Sequence, residues 1–132
     1  MHATSPAGPT VLVVDDNELV SKLTGEMLRR AGYAVLTAKD SEDALELVAT
    51  HTDPIDLLLT DIVMPRVGGC ELAHRCQELR PELQILYASG YGDDAMVKVG
   101  VLDPGHAFLQ KPYTYDELTD KVHELLESAR LA

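Results

Sequence analysis

Basic residues are scarce in this chain, cysteines scarcer still, and long apolar runs are missing. Lysine and arginine number 11 against 22 acidic residues, for a net charge of −11. That balance argues against direct binding to nucleic acid or contact with an anionic membrane, both of which reward clustered Lys and Arg. A cation or a basic partner surface stays open as the charge complement. The two cysteines, Cys70 and Cys76, stand six apart on an expected helix, which does not suit a shared metal ion. They read as the reduced thiols of a cytoplasmic protein. No run nears the length of a membrane span, and no basic-then-apolar leader opens the chain. The histidines (His2, His51, His74, His106 and His123) keep no ligand spacing such as His-x-x-x-His. Repeats and low-complexity tracts are absent too.

What remains is a chain of 132 residues, 45% hydrophobic, enough for one compact domain and not for two. Residues 1–9 are small, polar and proline-bearing, and read as a disordered leader ahead of a domain spanning 10–132. The most informative stretch is 57–65, Leu-Leu-Leu-Thr-Asp-Ile-Val-Met-Pro: an apolar run of strand length ends in one carboxylate, Asp61, and Pro65 stops regular structure. Further strands are expected at 10–14, 33–38, 83–88 and 106–110, with the third beginning at Ile55. Helices alternate with them. The first, 18–30, has Asn17 as its cap, Val20, Leu23, Met27 and Ala31 at helical spacing, and Gly32 as its stop. The second, 41–50, is capped by Ser41 and buries Ala44, Leu47 and Val48. Leu72, Cys76 and Leu79 mark the third, closed by Arg80-Pro81; a weaker fourth covers 92–101 and breaks at Asp103-Pro104-Gly105. A capping box from Thr114 to Glu117 opens the last, whose stripe is Leu118, Val122, Leu125 and Ala129.

The strands are unbroken apolar runs rather than alternating ones, so both sheet faces should be covered. The expected fold class is therefore α/β: a three-layer, flavodoxin-like, doubly wound parallel sheet of five strand–helix units in strand order 2-1-3-4-5. In such a sheet ligands bind outside the carboxyl ends of the strands, where the strand order reverses. Asp15 and Asp16 follow strand one, Asp61 follows strand three, Ser89 strand four and Lys111 strand five. Three carboxylates in one crevice repel one another unless a cation joins them. Mg²⁺ prefers hard oxygen ligands and keeps room for a phosphate oxygen, and Mn²⁺ would serve in its place. Lys111 adds a compact positive charge, and Ser89 a hydroxyl able to donate to a phosphoryl oxygen. A carboxylate nucleophile beside a metal ion and a lysine is suited to becoming an aspartyl phosphate. Each residue alone has an ordinary explanation as a cap, a turn or a surface charge. Their joint placement on the strand ends is the specific signal.

Val13-Val14-Asp15-Asp16, Asp61-Ile62-Val63-Met64-Pro65, Ala88-Ser89-Gly90 and Lys111-Pro112 occur in that order. Together they resemble the receiver domain of two-component signalling, the response-regulator fold, over residues 10 to about 128. The resemblance implies Asp61 as the phosphoacceptor, with Asp16, Asp61 and the backbone carbonyl of Val63 as direct metal ligands and Asp15 acting mostly through water. It implies that Lys111 pairs with the phosphoryl group, that Ser89 swings toward it, that Phe108 holds the switch-aromatic position, and that the Lys111–Pro112 bond is cis. Phe108 replaces a tyrosine common there, so no hydroxyl would report its movement. Val63 and Tyr91, two residues after Asp61 and Ser89, lack the carboxylate or amide that would orient an attacking water, so an altered phosphate lifetime is expected. The segment 100–113 is similar to receivers at the C-terminal end of hybrid sensor histidine kinases. A stand-alone regulator is the alternative.

The implied partner is a histidine kinase or histidine phosphotransfer protein. As an isolated domain the chain would perform only its own phosphoryl transfer and dephosphorylation, without turnover on an outside substrate. Its readout face would join the fourth helix, fifth strand and last helix, with Tyr113 and Tyr115 near its edge, and the same face would serve a homodimer. Two other classes compete. A haloacid-dehalogenase-type phosphatase wants a second aspartate two residues after its nucleophile, where this chain has Asn17 after Asp15 and Glu18 after Asp16. A flavodoxin-like cofactor binder wants a phosphate loop rich in Gly, Ser and Thr after strand one, which is missing here.

Overall fold

The computed structural model of the chain describes residues 8–64, 66–90 and 107–131. Five parallel strands, β1 (Thr10–Val14), β2 (Ala34–Ala38), β3 (Leu57–Asp61), β4 (Gln84–Ser89) and β5 (Ala107–Gln110), form one sheet in the order β2-β1-β3-β4-β5. The described helices are α1 (Glu18–Arg30), α2 (Ser41–Thr50), α3 (Gly69–Leu79) and α4 (Tyr115–Leu131). The helix expected at 92–101, and with it Tyr91 and the break at 103–105, lies outside the described residues.

Successive strand residues point to opposite faces, and the core divides accordingly. Leu12, Val14, Leu58 and Tyr87 pack under α2 and α3 with Ala44, Val48, Leu72 and Cys76. Val11, Val13, Leu57, Leu59 and Leu86 pack on the other face with Leu28 of α1 and Leu118 and Val122 of α4. Cys70 and Cys76 are free thiols; Cys76 is buried, and burial pushes its pKa up to about 11, so it stays a protonated core side chain.

Asn17 caps α1 as expected, accepting the Val20 N–H at 3.1 Å. Gly32 follows with φ +102°, a left-handed conformation that a side chain would strain. The capping box of α4 also forms: Glu117 N–H donates to Thr114 Oγ1 at 3.1 Å, and Thr114 N–H to Glu117 Oε1 at 2.9 Å.

Three expectations need correction. The inward face of α1 is made by Ser21, Thr24, Gly25 and Leu28, while Leu23 is 51% exposed. Small residues let the helix lie close to the sheet, where a Cβ at Gly25 would be in van der Waals contact with Val35. Leu23 turns outward, while Met27 packs half-buried against the core. Asp40, not Ser41, caps α2, accepting the Asp43 N–H at 2.8 Å. Ser41 is freed to donate its hydroxyl to the Val67 carbonyl at 2.7 Å, on the loop after Asp61. On α4, Ala129 is exposed, and Leu126 joins Leu125 against the core.

The C-terminal end of α2 carries no basic residue of its own. Arg80, just past α3, supplies the charge: its guanidinium donates to the carbonyls of Val48 at 2.9 Å, Asp53 at 3.0 Å and His51. Cationic donors on the last carbonyls complement the helix dipole. Arg80→Ala should lower stability by about 2–3 kcal/mol, the scale of lost charge-assisted bonds. Urea unfolding would measure it, and Arg80→Lys should recover less than half, since one ammonium cannot span three carbonyls.

Candidate functional site

The sheet register assembles the site. Val14 pairs with Thr60, so the chains leaving β1 and β3 place Asp15 and Asp61 side by side. Asp61 is itself the last residue of β3 and pairs with Ala88, which puts Ser89 one residue beyond. Ser89 pairs with Gln110, the last residue of β5, and Lys111 follows, its N–H donating to the Ser89 carbonyl at 2.8 Å. Four strand ends thus converge on one crevice.

Lys111 Nζ donates to Asp15 Oδ2 and to Asp61 Oδ2, each at 2.9 Å. The other Asp15 oxygen, Oδ1, accepts the Asn17 N–H at 2.9 Å, which fixes that carboxylate against the start of α1. Asp15 and Asp61 are buried and Asp16 is exposed; one carboxylate oxygen from each lies within 4.8 Å of the others. Three acids facing one lysine leave a surplus of negative charge. Burial pushes the Asp61 carboxyl up to about 6; the charges of Asp15 and Asp16 add to the rise, and Lys111 opposes it. For Lys111, burial works against the ammonium, but the hydrogen bonds and charges of Asp61 and Asp15 outweigh it and raise its pKa. The lysine stays charged and does not neutralise the cluster alone. A hard divalent cation matches the donor set: all-oxygen ligands, unequal burial and an uncompensated charge of the right sign.

The pH consequence has a definite sign. With its pKa raised in the folded state, Asp61 contributes stability that is fully present below 3.8 and lost as pH rises through about 6. In metal-free buffer at pH 7 the ionised carboxylate is therefore a cost. Asp61→Asn should raise stability there by about 1–3 kcal/mol, read as a higher Tm, and the gain should vanish near pH 4.

The other expected residues fall as follows. Ser89 is 1% exposed at the crevice end of β4, and Val63, on the loop after Asp61, has a side chain 52% exposed. The Lys111–Pro112 bond is cis. Phe108 pairs with Tyr87 and packs half-buried against the core under α2 and α3. Tyr113 packs on the core face shared by α1 and α4, and its hydroxyl shares a 2.7 Å hydrogen bond with that of Thr24. Two contributors had gone unread. A Cβ on Gly69 would stand 1.9 Å from the Asp61 carbonyl oxygen, so glycine is required where α3 starts under the end of β3. The Gly68-Gly69 pair signals a turn but not that approach. The Thr24–Tyr113 bond spans 89 positions and leaves no local signal.

Comparison with known families agrees with this geometry. The family described as response regulator receiver domain matches residues 11–123. This chain belongs to that family. Among curated relatives, the sensor kinase CckA of Brucella abortus (strain 2308) is 31% identical over 118 residues, which are 89% of this chain and 12% of CckA. The response regulator receiver protein CpdR of the same strain is 30% identical over 119 residues, 90% of this chain and 98% of CpdR. The crystal structure of the receiver domain from the hybrid histidine kinase CckA superposes with a TM-score of 0.74 at 30% identity, covering 89% of this chain and 98% of that one. The receiver is thus similar both to a small segment of a long kinase and to nearly the whole of a short regulator. Receiver domains in general use Mg²⁺ at an acidic pocket and interact with histidine kinases or phosphotransfer proteins, and the aspartate triad is that kind of pocket.

Proposed function

We propose that this receiver takes a phosphoryl group from a partner's phosphohistidine onto Asp61 in a Mg²⁺-dependent reaction. The observation carrying the reading is Lys111 Nζ at 2.9 Å from both Asp15 and Asp61, with Asp16 completing the oxygen cluster. Lys111 engages Oδ2 of Asp61, so Oδ1 is the attacking oxygen. It bonds to phosphorus as the phosphorus–nitrogen bond breaks; the imidazole leaves with that electron pair, and Asp61 becomes a mixed anhydride. Asp15, Asp16, Asp61 and the Val63 carbonyl would hold the metal ion. Mg²⁺ or Mn²⁺, when bound, supplies charge neutralisation and a fixed position for a phosphoryl oxygen. Lys111 then exchanges its bond to Asp61 for one to a phosphoryl oxygen, and the Ser89 hydroxyl donates to another. That exchange favours an active form through Ser89, Phe108 and the face of β5 and α4, with the helix expected at 92–101. The same face would serve a homodimer.

The partner approaches over α1. Val20, Leu23, Met27, Pro112 and Tyr113 line a groove of about 410 Å³ beside Lys111. Leu19 at 64% and Val63 at 52% exposure extend the apolar surface around the crevice. An amphipathic helix bearing the phosphohistidine fits such a surface.

The chain is proposed as the receiver of a hybrid sensor histidine kinase, on the segment 100–113. A stand-alone regulator is the second reading, favoured by the match over 98% of CpdR. The mass of the native product detected in source cells by antibody separates the two. The phosphatase reading has no observation in its favour once the family is established.

Asp61→Asn should abolish phosphoryl incorporation from a small acyl phosphate donor in Mg²⁺ while leaving the circular dichroism spectrum intact. Persistent incorporation at the same site in that variant would sink the assignment.

A further inference from the structure

Among the described residues, the segment that carries Lys111 has few backbone holds. Lys111 N–H donates to Ser89, Pro112 has no N–H, and Thr114 N–H is spent on the capping box. Besides Lys111 itself, Tyr113 supplies a side-chain hold: its hydroxyl meets Thr24 Oγ1 of α1 at 2.7 Å. Thr24 is 1% exposed, so water does not compete at that end of the bond. The start of α1 also fixes the Asp15 carboxylate, through the Asn17 N–H. Asp15, α1, Thr24, Tyr113 and Lys111 therefore close a ring, sealed by the 2.9 Å bond from Lys111 Nζ back to Asp15 Oδ2.

We infer that Thr24 and Tyr113 are a positioning pair: their hydroxyl bond sets the reach of Lys111 toward the phosphoacceptor and ties that reach to the placement of α1. The inference rests on Asp61 being the acceptor. Thr24 also lines the groove with Val20, Leu23 and Met27. A helix docked there would bear on the same turns of α1 that hold the lysine segment. Neither hydroxyl touches the reacting atoms, so both act through Lys111.

The test compares the parent with Thr24→Val, Tyr113→Phe, the double variant and Thr24→Ser. The initial rate of acyl phosphate formation is measured with phosphoramidate, a small stand-in for phosphohistidine, across a Mg²⁺ titration, and thermal melts are run alongside. Each single variant should be slowed about fivefold at saturating donor and Mg²⁺, the scale of one net hydrogen bond. The half-saturating Mg²⁺ concentration should stay within about twofold of the parent, because the carboxylates are untouched. The double variant should also be slowed about fivefold, not about 25-fold, since the pair acts as one unit. Thr24→Ser should keep the parent rate. Tyr113→Phe removes one oxygen and leaves the ring packed, so its rate decides if Thr24→Val melts early. Parent rates in Tyr113→Phe overturn the inference. So do losses that multiply in the double variant, or losses that follow the melting temperature and are not rescued by serine. A parent that takes up no phosphoryl group overturns the acceptor reading and this one with it, whereas a labelled parent with unaffected variants overturns this one alone.

Discussion

Gly69→Ala should destabilise the receiver by about 3–5 kcal/mol, at the severe end of single substitutions, and take phosphoryl uptake down with it. The added Cβ would lie 1.9 Å from the Asp61 carbonyl oxygen, 2.9 Å from its carbonyl carbon and 3.0 Å from Ile62 Cα. All three are backbone atoms of β3 and the turn after it, so no side chain can swing away to make room. Gly69 N–H also donates to the Ile62 carbonyl at 2.8 Å, pinning the start of α3 to that turn. Relief therefore requires moving either the helix or the end of the strand that carries Asp61. Gly68 makes the control: its Cβ would meet only the Ile62 carbonyl oxygen, at 3.3 Å. Gly68→Ala should cost less than about 1.5 kcal/mol, within the ordinary range for a single change. Urea unfolding of both variants is the measurement, and equal costs at 68 and 69 would refute the packing argument.

Lys111→Met should lower phosphoryl uptake by about 10²–10³-fold, the usual effect of removing one aimed donor from a developing anion. It should also destabilise the metal-free protein by about 3–5 kcal/mol at pH 8, because two buried carboxylates lose their common partner. The two losses have different remedies. Adding Asp61→Asn to Lys111→Met removes one of the stranded charges and should return more stability than Asp61→Asn gives the parent, with no return of phosphoryl uptake. Added Mg²⁺ should stabilise Lys111→Met more than it stabilises the parent, since the ion then meets the whole surplus of charge. Thermal melts with and without Mg²⁺ check this; additive effects of the two substitutions would show that Lys111 and Asp61 do not share one electrostatic site.

The sheet and the convergence of its polar strand ends were legible because strand burial and strand ends are written locally. An apolar run followed by a carboxylate, a serine or a lysine marks where each strand leaves the core. The order 2-1-3-4-5 then brings the tips of β1, β3, β4 and β5 together. The inward face of α1 was legible only in part, for a physical reason. Periodicity reports that Val20, Leu23 and Met27 are apolar, and it is silent on whether core or groove receives them. The residues that turn inward, Ser21, Thr24 and Gly25, are small, and a hydrophobic pattern gives them no weight. The cap of α2 was misplaced by one because Asp40 and Ser41 are both good caps, and the Val67 carbonyl engages the serine. Arg80 read only as the end of α3, since its three carbonyl partners lie 27 to 32 positions earlier and are brought near by the fold alone. Phe108 was assigned through a family position alone; its ring packs half-buried against the core under α2 and α3.

The most direct test locates the phosphoryl group on the chain. The protein is incubated with phosphoramidate and Mg²⁺, reduced with borohydride, which converts an aspartyl phosphate to homoserine, and digested for peptide mass mapping. Homoserine at position 61, absent when Mg²⁺ is withheld, is the expected result. Homoserine at position 15 or 16, or a phosphoryl group carried by a histidine or serine with residue 61 unchanged, would contradict it.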